Sequence, residues 1–294
     1  MKSAVPVMSV IGVIVVLWYA CTVWLNAPWV YDQAARAGIS VSFGDLVWQT
    51  MGQDRPVLPP PHQVLAEVWK GVTSHAVTSK KSLVYHGYVT LTATFWGFLL
   101  GTLLGVVMAA GIVWSRVLDL SLMAWAVISQ TVPVVAIAPM IVVLSNALGL
   151  GAHLGVENRL VSKTIIAAYL SYFPVLVGMI KGLRSPDQMQ LDLLQTYGAS
   201  VAQGFGKLRL PASVPYLFAS LKVGIAASLV GAIVGELPTG AVEGLGARML
   251  VGSQFGSPII VWAALVAAAV LAGGLILLVR GLETVVVRRM GVRS

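Results

Sequence analysis

Long uncharged runs, rather than alternating or amphipathic periods, dominate the order of apolar and polar residues in this chain. Residues 3–31, 82–115, 120–156 and 249–279 contain no Asp, Glu, Lys or Arg. A helix of about 20 apolar residues crosses a hydrocarbon layer roughly 30 Å thick, so each run can hold one membrane span. Two further runs are less clean. Residues 164–180 extend outward over Leu160 and Val161, and residues 212–235 are interrupted by Lys222 alone. The stem of that lysine can lie along apolar surface while its ammonium reaches the headgroups. The pattern predicts six spans, near 4–26, 88–114, 120–146, 160–181, 212–236 and 258–280.

Composition agrees. Of 294 residues 57% are hydrophobic and 10% charged, against about 25% charged in soluble chains; mean hydropathy is +0.87. A soluble domain lacks its polar shell here. Disorder is excluded by hydrophobicity, collagen by 30 glycines without a three-residue period, and a disulfide scaffold by a single cysteine. The first run exceeds the core of about 7–15 residues in a removable signal, and Asn26-Ala27-Pro28 is a poor cleavage site, so a retained anchor is expected. Cys21 reads as a buried bystander. Basic residues set the orientation. With the N-terminus inside, Lys2, Arg116, Lys181, Arg184, Lys207, Arg209, Arg280, Arg288, Arg289 and Arg293 fall inside, and short outer loops hold Arg159, Lys163 and Arg248. Both termini are therefore expected in the cytoplasm. The net charge of +8 follows from that asymmetry and contact with anionic lipid. No basic stripe with interleaved aromatics suggests nucleic acid.

The whole chain reads as a single transmembrane domain: an anchor span 1–26, an external segment 27–87, a five-span core 88–280 and a cytoplasmic tail 281–294. In the external segment Leu58-Pro59-Pro60-Pro61 is a stiff extended stop. Gln63 to Gly71 then has Val64, Leu65 and Val68 at helical spacing. His62, His75 and His86 lack metal-ligand spacing and are expected to be solvated or interfacial. On the second span Gly97, Gly101 and Gly105 form a ridge, and Gly224, Ala227, Gly231 and Gly235 form another on the fifth. Such ridges let backbones approach closely, within the chain or across a dimer. Pro133 and Pro139 break the third span beside Gln130 and Thr131. Polar broken helices are tolerated where they line a cavity. Gln130, Thr131 and Pro133, with Ser228 and Glu236 of the fifth span, are the candidate pathway residues. Glu236 has a second reading, as an interfacial carboxylate paired with Arg248.

Between spans four and five, Ser185 reads as an N-cap, Pro186 as the first helical residue and Gln188 as the partner of a capping box. That helix should run to about Tyr197, with Gly198 in the left-handed conformation that ends it. Ser200 and Gln203 repeat the signature and start a second short helix, and Leu210-Pro211 feeds the fifth span. Leu191, Leu194, Tyr197 and Phe205 would leave apolar groups exposed on the inner side, the mark of a docking partner.

This loop resembles that of the inner membrane permeases of binding-protein-dependent ABC importers, whose frame is E-A-A-x3-G-x9-I-x-L-P. The chain reads Asp192-Leu193-Leu194-x3-Gly198-x9-Leu208-x-Leu210-Pro211. All spacings match; Asp replaces Glu, two leucines replace the alanines and Leu208 replaces Ile. Further segments resemble the nitrate, taurine and aliphatic-sulfonate type. These are Leu58-Pro59-Pro60-Pro61, Gln130-Thr131-Val132-Pro133, Tyr172-Phe173-Pro174, Gly235-Glu236-Leu237-Pro238 and Gly244-Leu245-Gly246. The resemblance implies a homodimer of six-span subunits in the bacterial inner membrane. It implies two copies of an ATP-binding cassette subunit carrying ATP and Mg, and an extracytoplasmic solute-binding protein. The loop 185–210 would couple to the ATPase through Asp192, Leu194, Tyr197, Gly198, Leu208, Leu210 and Pro211.

The expectation is thus an all-α polytopic membrane protein, an importer-permease-like bundle of six spans with a cytoplasmic two-helix coupling loop between spans four and five. It binds no cofactor or metal itself. No G-x-x-x-x-G-K-[ST] occurs in the chain, so ATP hydrolysis belongs to a partner, and no nucleophile elbow or H-E-x-x-H suggests an enzyme. The alternative is an ion-gradient-driven secondary transporter, which would call for internal repeats and midplane carboxylates.

Overall fold

The computed structural model describes residues 4–238, 240 and 243–290; Lys2 and Arg293, two of the basic residues that set the orientation, lie outside them. The described elements are helices. They run α1 (Ala4–Ala37), α2 (Phe43–Met51), α3 (Pro61–Thr73), α4 (Leu83–Trp114), α5 (Arg116–Ser129), α6 (Val134–Ala147), α7 (Leu150–Leu154), α8 (Asn158–Leu183), α9 (Gln188–Thr196) and α10 (Val201–Gly204). A π-helical turn, Phe205–Arg209, then leads into α11 (Leu210–Glu236), followed by α12 (Leu245–Gln254) and α13 (Pro258–Arg289). Five helices are long and apolar enough to span a membrane: α1, α4, α8, the continuous Val201–Glu236 and α13.

The third expected span is not one kinked helix. It is the pair α5 and α6, bent by 100°. Pro133 cannot donate to the ladder and disfavours helix in the residue before it, and in its own extended conformation it caps α6 instead of continuing α5. Pro139 sits inside α6 without ending it. The first span also differs, because α1 continues through Pro28 to Ala37. Its 34 residues reach about 51 Å at 1.5 Å per residue, well beyond the hydrocarbon layer.

Backbone contacts group the chain into two compact units, Met1–Gly87 with Ala247–Ala268, and Tyr88–Gly246 with Ala269–Ser294. In the first, the proline-rich stop lies against α1. Buried Asn26 accepts from the backbone N–H of Val57 at 2.8 Å and donates to the Leu58 carbonyl at 3.0 Å. The Trp18 indole donates to the Pro59 carbonyl at 3.1 Å and packs on Trp262. The expected helix over Gln63–Gly71 is present but longer, because Pro61 is its first residue and not the last of the extended stop. Two side chains differ from expectation: Cys21 is exposed, and His86 is buried with Nε2 2.9 Å from the Lys80 carbonyl.

In the second unit α8 is packed on both sides through small residues. A Cβ on Gly105 of α4 would fall 2.7 Å from the Tyr172 carbonyl, and one on Gly231 of α11 would fall 2.7 Å from the Ala167 Cα. Gly182 of α8 gives the same close approach to Ser213 of α11. Both glycine ridges are thus used inside the chain, where contact of backbones replaces the hydrophobic drive that lipid cannot supply. Below the ridges Tyr172, Leu176, Met179 and Leu183 of α8 form a buried cluster with Ile112 of α4 and Ala126 of α5.

Candidate functional site

The segment 185–210 folds as a helix, a glycine joint and the start of the next helix. Its first cap lies two residues later than the sequence suggests. The Ser185 hydroxyl is spent on the Gly182 carbonyl, 2.7 Å away, so Asp187 caps α9 and forms a capping box with Gln190. The far end is as expected. Gly198 has φ +72°, and the N–H groups of Gly198 and Ala199 donate to the carbonyls of Gln195 and Leu194, both at 2.9 Å, the double closure of a Schellman motif. Ser200 and Gln203 then form the second capping box. The helix that this box starts is not the separate short one expected: α10, the π turn and α11 are one helix, Val201–Glu236. The extra residue of a π turn lies just ahead of Pro211, which cannot donate a backbone hydrogen bond.

Asp192 is exposed and accepts from Gln188 at 3.0 Å. Leu194 and Leu208 are half-buried, and Leu210 and Pro211 are exposed. Leu191 is half-buried too, and Phe205 packs edge-on against Trp114, so the exposed apolar set differs from the one expected. Its large members are Met189 and Leu193 of α9, Tyr197 at its C-cap, Val201 beyond the Gly198 joint, and Leu210, with Met189 73%, Tyr197 80% and Val201 79% exposed.

At the break in the third span, Gln130 is half-buried while Thr131 and Pro133 are exposed. Two tyrosines of α8 hold the broken end. The Tyr169 hydroxyl donates to the Ser129 carbonyl, the Tyr172 hydroxyl bonds the Ser129 hydroxyl, and Gln130 Nε2 donates to the Tyr172 oxygen at 3.4 Å. These tyrosines satisfy groups that the break would leave bare in lipid. Sequence reasoning does not reach them as site residues. Their spacing of three on one span, which puts both hydroxyls on one helix face, is the signal available for finding them.

Ser228 and Glu236 are both fully buried. The Ser228 hydroxyl donates to the Thr94 carbonyl at 2.8 Å. Glu236 closes a polar clasp at the last residue of α11. Its ion-pair partner is Lys163 of α8 at 3.5 Å, in place of Arg248. Thr90 of α4 donates to Oε1 at 2.8 Å and the Gly246 N–H to Oε2 at 2.7 Å. Lys163 donates further to the Glu243 carbonyl at 3.2 Å, and Leu245 N–H to Thr90 Oγ1 at 2.9 Å. Gly244, with φ +123°, lies against the carboxylate where a Cβ would overlap it. The clasp joins α4, α8, α11 and the chain leading into α12. Lys222 also has a partner rather than free headgroup contact, Glu283 of α13 at 2.5 Å. Among the described residues no cluster of three or more His, Cys, Asp or Glu could hold a metal ion.

Several helices are long and apolar enough to span a membrane, one pair is broken at a polar point, and another helix runs straight out of an exposed apolar segment. Residues 101–292 match the family described as the inner membrane component of binding-protein-dependent transport systems. The chain belongs to that family. A probable ABC transporter permease of Haemophilus influenzae is 33% identical over 70% of this chain and 77% of its own length. A riboflavin transport system permease of Chloroflexus aurantiacus is 29% identical over 79% and 80%. Among solved structures, the inward-facing MetNI methionine ABC transporter covers 78% of this chain and 96% of its own at 17% identity, with a TM-score of 0.48. The ion-gradient-driven alternative gives way to the family assignment.

Proposed function

We propose that the chain forms the translocation path of an ATP-driven importer in a bacterial inner membrane. It works as a homodimer with both termini cytoplasmic, receives a small solute from an extracytoplasmic binding protein, and is driven by a separate ATPase that carries ATP and Mg. The segment 185–210 is the docking element. Its exposed apolar residues Met189, Leu193, Tyr197 and Val201 insert into the ATPase, and Asp192 pairs with a basic residue there. Closure of the ATPase pair displaces this segment, and the continuous helix Val201–Glu236 carries the displacement across the membrane. Gln130, Thr131 and Pro133 line the path, and Ser228 and Glu236 fix the helix that moves beside it.

The observation that carries the reading is the unbroken helix from Val201 to Glu236, which begins among these exposed residues and ends in the buried clasp. Relatives are named for formylaminopyrimidine, riboflavin, aliphatic sulfonates and taurine. Those solutes differ in charge and shape, so the proposed cargo is a small solute without further definition. The test is isolation of the tagged chain from its native host in mild detergent. A stoichiometric ATPase should accompany it and be lost when residues 189–201 are scrambled. A stable preparation without ATPase would overturn the proposal.

A further inference from the structure

The end of α8, where it meets the 185–210 segment, carries a cleft to which the transport reading assigns no ligand. It has a volume of about 520 Å³ and is lined by Met123 of α5, by Val177, Ile180 and Lys181 of α8, by Arg184 and Ser185 just past its end, and by Tyr216 of α11. Charge and apolar wall are separated along it. Lys181 and Arg184 lie one helical turn apart and are both exposed. The Lys181 ammonium stands 6.0 Å from the Tyr216 ring centre, within cation–π reach. Arg209 comes close by as well, donating to the Leu183 carbonyl at 3.1 Å. The acid that answers these charges is Asp119 of α5, which pairs with Arg184 at 2.9 Å. Lys181 itself lines the cleft beside Tyr216. Toward the middle of α8 the same cleft becomes apolar, through Val177, Ile180 and Met123.

We infer that this cleft binds the headgroup of an anionic phospholipid. The phosphate would sit between Lys181 and Arg184, the Tyr216 ring would lie at headgroup level, and an acyl chain would follow the wall made by Ile180 and Val177. Basic clefts between spans at a membrane face select anionic lipid in this way. A free anion would satisfy the lysine but leave the apolar wall uncovered, so the two ends together favour lipid. Ser185, the first residue of the docking segment, lines the cleft, so an occupied cleft would tie the base of that segment to the leaflet.

The test needs no transport assay and stands apart from the function proposed above. Purified, delipidated protein is offered phosphatidylglycerol or phosphatidylcholine in mixed micelles, or inorganic phosphate alone, and bound lipid and melting temperature are measured. Phosphatidylglycerol should be retained at one site per chain and raise the melting temperature, with phosphatidylcholine and phosphate ineffective. Lys181→Gln should lower its retention about fivefold, the effect of one basic side chain at an anionic headgroup. Lys181→Arg should restore it, and Arg288→Gln on α13 should leave it unchanged. Equal retention of both lipids, equal protection by phosphate, or unchanged retention in Lys181→Gln would overturn the site.

Discussion

Glu236 shows what a single residue contributes here. A carboxylate with no exposed surface is tolerable because Lys163, Thr90 and the Gly246 N–H all face it. Removing one member of a buried pair leaves an uncompensated charge, at a cost of about 3–5 kcal/mol. Glu236→Leu and Lys163→Met should each lower the melting temperature in detergent by several degrees, and the double variant should recover most of the loss. Additive losses would mean that the pair is not coupled. Little of this is legible in the sequence. Glu236 stands out as a carboxylate at the end of a span, but Lys163 reads as an outer-loop charge. Only the packing of α8 on α11 brings the two together. Gly198 is legible in full, because a helix-ending glycine announces itself by local spacing and needs no tertiary contact.

At the scale of elements, two joints matter. The glycine joint between α9 and α10 requires φ +72°, a conformation that costs an L residue about 1–2 kcal/mol and a β-branched one more. Gly198→Val should therefore re-aim α9. ATP hydrolysis by the isolated complex should persist while ATP-driven uptake falls at least severalfold; wild-type uptake would refute the joint's role. The other joint is the break between α5 and α6. Pro133 locates it in the sequence, yet the pattern there suggests one kinked span where two helices at 100° occur. Proline spacing marks where a ladder fails, but the hydrogen bonds of Tyr169 and Tyr172 to the broken end come from another helix, and no local pattern encodes them. The 185–210 segment divides similarly. Its caps near Ser200 and its terminator are readable, whereas the fusion of its second half with α11 is not, because Leu210-Pro211 looks like a boundary and the π turn absorbs it.

For the whole molecule, the packing of α8 on α11 has a mechanical consequence. The two helices are fastened by glycine contacts along their length, by the Lys163–Glu236 pair at one end and by Arg209 on the Leu183 carbonyl at the other. We therefore expect α8, the docking segment and α11 to move as one body. A Cβ at Gly235 would lie 3.7 Å from the Ile166 Cβ, within the range of about 3.5–4.5 Å that a disulfide requires. In a Cys21→Ser background, Ile166→Cys with Gly235→Cys should cross-link on oxidation without loss of ATP-driven uptake. Loss on oxidation and recovery on reduction would show that α11 slides along α8.

We expect an ATPase to dock on the exposed apolar residues Met189, Leu193, Tyr197 and Val201. The most direct measurement places a photoreactive amino acid at Tyr197 in the native host and identifies the cross-linked protein by mass. A single dominant adduct with an ATP-binding cassette subunit is expected, absent when the same probe replaces Trp48 of α2. No ATPase adduct from Tyr197, or an equal adduct from Trp48, would contradict it.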